Sequence, residues 1–198
     1  QDIHSQTASE VLGIPINDVT SNDRSMAKSV NFGLMYGQSS FGLAKALGIS
    51  RREAKNYITM YFERFSRVKS YMDSLKEVCE EKGHTVTLFG RKRILPDIHS
   101  KNRTIKSAAE RIAVNSPIQG TAADIIKKAM IDINKNMEEK RLQSKMLLQL
   151  NDELISEVVE DEIDVMREIV KSCMEGVVKL KVPLRVDMAT GVNWFDLK

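Results

Sequence analysis

Apolar positions recur at helical spacing through most of the chain and alternate only in short stretches. Around His4–Leu12 the spacing predicts a short helix, closed by the turn Gly13-Ile14-Pro15. Thr20-Ser-Asn-Asp23 offers N-cap residues for a helix running through Arg24. A short helix after Gly37 should end at Gly48, and Ser50-Arg-Arg-Glu53 then has the form of a capping box. It opens a long helical region whose apolar residues run from Tyr57, Ile58, Tyr61, Phe62 and Phe65 through Val68, Tyr71, Met72, Leu75 and Val78, stopping at Gly83. The aromatics among them are expected to be core. His84–Phe89 alternates weakly, and Gly90-Arg-Lys-Arg93 turns it toward Ile94, which predicts a hairpin with a basic tip. A helix from about Asn102 to Ser116 should be interrupted by Pro117, and another should run from about Thr121 to Glu139. Lys145–Leu150 and Glu153–Val159 read as two strands joined by a two-residue turn. A helix over about Asp161–Val178 and an edge strand over Pro183–Met188 complete the pattern. Helices first, then helices mixed with a small antiparallel sheet, make an α+β arrangement.

At 198 residues the chain can bury a real core, as one domain or two small ones. No apolar run approaches the roughly eighteen residues that span a bilayer, so no membrane partner is expected. No signal-like segment is visible, and Cys79 and Cys173 both read as reduced core residues of an intracellular protein. The net charge of +3 hides an uneven distribution. Arg91, Lys92, Arg93, Lys101, Arg103, Lys106 and Arg111 face only Asp97 and Glu110 between positions 91 and 111. From Asp152 to Glu168 the chain is strongly acidic, with Arg167 its one cation. A basic zone suits a polyphosphate backbone, although it also fits an ordinary solvated surface. No zinc-type spacing and no Ser/His/Asp or Cys/His arrangement is visible, and the lack of a P-loop argues against ATPase chemistry.

Arg24, Lys28, Phe32 and Tyr36 stand four apart, so on a helix they form one drifting stripe, two cations below two aromatic rings. At helical rise the stripe covers roughly 18 Å, enough for a triphosphate at one end and a sugar and base at the other. Cations in the first turns oppose the helix dipole, and Gly33 in mid-helix costs about 1 kcal/mol relative to Ala. Such local conflicts concentrate at functional sites, so the stripe fits a nucleotide-triphosphate clamp, although its spacing alone fits solvated cations and core aromatics better. Further along, Asn151-Asp152-Glu153 is ordinary hairpin-turn chemistry, yet it also sets two adjacent carboxylates between apolar strands, and carboxylate oxygens are the natural ligands of Mg²⁺. Arg111, Asn115 and Gln119 form a third four-residue series, of the side-chain types that bond base edges and backbone oxygens.

The run Arg24, Lys28, Asn31, Phe32, Gly33, Tyr36, Gly37, continuing through Ser40-Phe-Gly-Leu-Ala44, closely resembles motif B of the family A DNA polymerases. Leu150-Asn-Asp-Glu-Leu154 resembles motif C of the same family, with Asn151 where the family usually has histidine. The string from Ala109 to Ile126 is similar to the family segment that feels the minor groove of the primer–template. His4 occupies the place of a family histidine that approaches the triphosphate. The resemblance implies a fingers subdomain over residues 1–105 and the C-terminal part of the palm over 106–198, acting on dNTP and primer–template DNA. It implies nucleotidyl transfer to a primer 3′-hydroxyl with two Mg²⁺ ions, about 4 Å apart.

On this reading Arg24, Lys28, Phe32, Tyr36 and His4 bind the dNTP, with Lys28 also a candidate proton donor. Arg111, Asn115, Gln119 and Asn151 meet DNA, Asp152 is the metal-bridging carboxylate, and Glu153 is its acidic neighbour. The family's other metal aspartate belongs to an earlier motif, with the thumb and any exonuclease domain earlier still. The chain alone is therefore expected not to polymerise, and to work with the remainder of the enzyme in the bacterial cytoplasm or an organelle, in replication or repair. The competing reading is a non-catalytic nucleic-acid-binding helical module that uses the basic zone.

Overall fold

The computed structural model describes residues 2–197. These fall into two compact units that divide after Ile118. In the first, α1 (Ile3–Leu12), α2 (Ser21–Met35), α3 (Ser40–Leu47) and α4 (Arg51–Arg64) pack around Val11, Val30, Leu34, Leu43, Ala54, Tyr57 and Tyr61. Their ends follow local chemistry. Asp2 caps α1, Thr20 and Asp23 form a full capping box at α2, and Ser50 and Glu53 form another at α4. Gly13 and Gly48 close α1 and α3 in the left-handed conformation that glycine adopts without strain.

The long helical region expected to end at Gly83 consists of two helices. Phe65, at φ −106° and ψ 53°, leaves helical geometry and separates α4 from α5 (Ser66–Lys82). Of the expected core aromatics, Tyr57 and Tyr61 are buried, and Phe62 and Phe65 pack partly against the same core. Tyr71 lies half exposed on α5, a departure from expectation, because beyond the break the helix turns a different face to the core.

β1 (His84–Val86) pairs antiparallel with β2 (Lys92–Ile94) in the expected hairpin. Cys79 of α5 and Leu95 and Ile98 beyond β2 share a small core with Ala109 and Ala113 of α6 (Arg103–Glu139). This helix is unbroken: Pro117 lies inside it, where the sequence predicted an interruption. A proline in a helix interior loses one backbone hydrogen bond and crowds the preceding turn, at about 3 kcal/mol. Burial of Ala113, Val114 and Ser116 just before it, and of Ile126, Ala129 and Ile133 further along, favours helical backbone on both sides of the proline.

In the second unit the C-terminal half of α6 packs with α7 (Ile163–Gly176) through Ile133, Met137, Met166 and Ile169. Met146 and Leu154 join this core from β3 (Lys145–Leu150) and β4 (Glu153–Glu157). Glu162 ties the entry to β3 in place, accepting from the backbone N–H groups of Gln143 and Ser144 at 2.9 Å each and from the Ser144 hydroxyl at 2.5 Å. The edge strand expected over Pro183–Met188 does not form; no strand pairs with it among the described residues, and one bond from Val186 N–H to Glu175 Oε1 at 3.1 Å tethers it. Both cysteines are free, Cys79 buried and Cys173 half-buried, and burial raises the thiol pKa of each.

Candidate nucleotide and primer–template site

Arg24, Lys28 and Phe32 lie on α2, and Tyr36 is its C-cap residue, at φ −89° and ψ 11°. The stripe therefore forms as read, with its top residue just past the last helical turn. Phe32 and Tyr36 stack with ring centroids 6.3 Å apart and planes 14° off parallel. The His4 ring of α1 sits 5.6 Å from the Phe32 ring. Both aromatic rings are exposed by about two-fifths, Phe32 at 42% and Tyr36 at 44%. Exposed, aligned rings are available to pack on a sugar and base, which a buried core pair is not.

At the cationic end, Lys28 is exposed while Arg24 is engaged. Its Nε and Nη2 donate to Oδ2 and Oδ1 of Asp2 at 2.7 and 3.3 Å. The bond from Ser5 and the Arg24 guanidinium together hold the Asp2 carboxyl far below the usual carboxylate range.

Gly33 is explained by its neighbour. A Cβ there would stand 2.1 Å from Oε1 of Gln38, so the missing side chain lets Gln38 lie across α2 toward Gly42 of α3. Gly37 has φ +69°, and a Cβ there would meet the Arg111 stem at 2.7 Å. Asn115 Nδ2 donates to the Tyr36 carbonyl at 3.3 Å. The turn that ends the stripe thus docks on Arg111 and Asn115, joining two groups of residues that the sequence placed in separate segments. The Oδ1 of Asn115 is buried with no protein donor, an acceptor that costs free energy unless a donor reaches it.

Gln119, Asn151, Asp152 and Glu153 belong to the second unit. Gln119 is exposed on α6. Leu150 pairs with Glu153, so Asn151 and Asp152 alone make the turn, and Glu153 is the first residue of β4. Asn151 adopts φ +53°, and its carbonyl accepts from Gln149 Nε2 at 2.9 Å. All three tip residues are exposed, as are Leu147, Leu148 and Leu150 on β3.

The hard oxygen donors of Asp152 and Glu153 suit Mg²⁺. No group of three or more potential metal-binding His, Cys, Asp or Glu residues occurs among the described residues.

The family model of DNA polymerase family A matches residues 1–196. The chain belongs to this family. It is 52% identical to DNA polymerase I of Caldicellulosiruptor bescii over 197 residues, which are 100% of this chain and 23% of that protein. DNA polymerase I of Streptococcus pneumoniae serotype 4 is likewise 52% identical, with the same coverage of both chains. A solved structure of the POL domain of Pol1 from M. smegmatis, in complex with DNA primer–template and dNTP, superposes with a TM-score of 0.90 at 43% identity. That match covers 93% of this chain and 33% of the other. The family A chain thus spans less than a quarter of the length of these curated relatives. No described helix is long and apolar enough to cross a membrane.

Sequence reasoning missed Asp2, Thr7 and Gln38. Only Asp2 carried a signal, as an N-cap residue ahead of an apolar-periodic segment. The roles of Thr7 and Gln38 depend on contacts with residues outside their own helical turn.

Proposed function

We propose that these residues form the fingers and the C-terminal part of the palm of a template-directed DNA polymerase, adding dNTPs to a primer 3′-hydroxyl. The observation that carries this reading is the exposed stripe of Arg24, Lys28, Phe32 and Tyr36 in a family A chain, with cations at one end and stacked rings at the other. Arg24 and Lys28 neutralise the triphosphate, and Lys28 is placed to give a proton to the departing pyrophosphate. Phe32 packs on the sugar, Tyr36 shapes the nascent-pair pocket, and His4 reaches the phosphates. Arg111, Asn115, Gln119 and Asn151 contact the primer–template. Contacts in the minor groove check pair geometry without reading sequence, since its acceptors are placed alike for all pairs.

Asp152 would hold Mg²⁺ with Glu153 beside it, and the metal when bound would supply charge neutralisation at the phosphates and activation of the primer hydroxyl. The fingers role falls to residues 1–105 and the palm role to 106–198. The first compact unit extends past that functional division because Arg111 and Asn115 pack on the Tyr36–Gly37 turn. The second metal carboxylate is not among these residues, so the 198 residues alone bind nucleotide and DNA weakly and do not polymerise. The complete enzyme works in replication or repair, in the bacterial cytoplasm or an organelle.

Two experiments test this reading. Asp152→Ala in the complete polymerase should collapse kcat while primer–template affinity survives; an unchanged rate would leave only a non-catalytic binding module. Primer extension with the 198 residues alone should yield no templated product, and synthesis there would refute the claim that a metal carboxylate is missing.

A further inference from the structure

A buried chain of hydrogen bonds runs from the backbone of α1 through α2 and back to the His4 ring. The Thr7 hydroxyl donates to the Ile3 carbonyl at 2.8 Å. Its single proton is thereby committed, so Thr7 Oγ1 can only accept from its next partner. That partner is Asn31, whose Nδ2 lies 3.0 Å from Thr7 Oγ1. With the Thr7 proton on the Ile3 carbonyl, the Asn31 amide sets its NH₂ group toward Thr7, the orientation in which Nδ2 meets Oγ1. The same Nδ2 lies 3.2 Å from Nδ1 of His4. A donor aimed at Nδ1 requires that nitrogen to be unprotonated. In the neutral ring the proton must then sit on Nε2.

Thr7 is 3% exposed and Asn31 8%, so water competes poorly for these groups and the three side chains must satisfy one another. We propose that Asn31 is a positioning residue that, anchored by Thr7, sets His4 as an Nε2–H donor beside Phe32. The consequence for catalysis rests on the reading of His4 as a triphosphate contact: a phosphate oxygen needs a donor, and this network presents one without a search over tautomers. The opposite tautomer would direct a lone pair at the phosphate.

The test is ring-¹⁵N NMR on the full 198-residue chain at about pH 8, which reports which ring nitrogen of a neutral imidazole carries the proton. There are three histidines, His4, His84 and His99, and His4→Gln assigns the His4 signal by its loss. His84 provides an internal contrast, because its Nδ1 faces the Lys82 carbonyl at 2.9 Å and must carry the proton there. His4 is expected as a single Nε2–H species, and an Nδ1–H signal would overturn the proposal.

Free imidazole already leans toward Nε2–H, so the variants decide. Asn31→Leu should leave His4 as a mixture of tautomers, and Asn31→Asp, which offers an acceptor to Nδ1, should reverse the assignment. Should substitution at Asn31 prevent folding, Thr7→Val should also release the ring while Thr7→Ser retains it. A single unchanged tautomer in both Asn31→Leu and Thr7→Val would sink the idea. In the complete polymerase, Asn31→Leu should raise the Kd for dTTP opposite a templating adenine about two- to fivefold, the factor expected when only part of the population is competent. If the tautomer responds while Kd is unmoved in both Asn31→Leu and His4→Gln, the triphosphate role of His4 fails and the positioning role of Asn31 stands.

Discussion

Arg24 grips Asp2 side-on, Nε to Oδ2 at 2.7 Å and Nη2 to Oδ1 at 3.3 Å, across 22 positions of sequence. The same carboxylate caps α1 by accepting from the Ser5 backbone N–H at 3.0 Å. One acid thus closes the start of α1 and occupies the guanidinium assigned to the triphosphate. Arginine suits such a shared role, since its planar fork can present free N–H groups to a phosphate while one edge stays on the carboxylate.

Replacing Asp2 with Asn separates the two functions. Asn still caps a helix about as well as Asp, and the negative charge beside Arg24 is removed. We expect Asp2→Asn in the complete enzyme to tighten dNTP binding about twofold, a size suited to an exposed ion pair, with little change in melting temperature. A weakened Kd would mean that Asp2 holds Arg24 in its working position rather than competing with the substrate.

Acid should weaken both units, and the sign follows from carboxyl groups whose folded pKa is depressed. Asp23 and Glu53 are held low by their capping-box hydroxyls and backbone N–H groups, and Glu162 by the Ser144 hydroxyl and then the N–H of Gln143. A depressed folded pKa gives stability that is present above the unfolded value, near 4, and lost as pH falls through the folded value. The melting temperature should therefore hold level at neutral pH and decline below about pH 4. Glu162→Gln should flatten part of that decline, and an unchanged acid limb in that variant would show that the Ser144 anchor contributes nothing.

The parts of this molecule that were legible in its sequence are those decided within a turn or two of chain. The N-cap within Thr20–Asp23, the capping box at Ser50 and the two-residue turn at Asn151-Asp152 are local bargains between side chain and backbone, and each formed. Pro117 and Phe65 went the other way. The local rule for proline predicts a break, yet buried alanines and isoleucines along α6 outweigh it, while Phe65 breaks a helix whose periodicity looked continuous. Pro183–Met188 has a strand-like sequence but no partner strand among the described residues, and a strand is defined by its partner. At the site, the stripe on α2 was readable from spacing four. The Asp2–Arg24 pair and the Thr7–Asn31–His4 chain were not, because nothing in either segment announces which helix will lie beside it.

The two glycines at and just beyond the end of α2, Gly33 and Gly37, should respond differently to alanine. Gly33 lies in helical backbone, and the atom that a Cβ would meet is the far end of the flexible Gln38 side chain, which can swing aside. Gly33→Ala should therefore be near neutral or stabilising by up to about 1 kcal/mol, the helix-propensity difference. Gly37 has φ +69°, and its Cβ would press on the stem of Arg111 rather than on its tip. Gly37→Ala should cost about 1–2 kcal/mol from the left-handed backbone alone, with the Arg111 clash added. Urea unfolding of both variants measures the difference, and equal losses would refute this account of the turn.

Asn151 holds φ +53° at the tip that presents Asp152, and this conformation governs what substitution there will do. Glycine accepts it without strain, and a β-branched residue does not. Asn151→Gly should leave the hairpin within a few tenths of a kcal/mol of its present stability, whereas Asn151→Val should cost about 1–2 kcal/mol. The bond from Gln149 reaches the backbone carbonyl of Asn151, so neither variant removes it directly. If the turn geometry is what aims Asp152, kcat of the complete polymerase should fall with Val and largely survive with Gly. Loss of activity in both variants alike would instead assign the work to the Asn151 amide, as a direct contact to the primer end, and Asn151→His would then be the substitution that restores it.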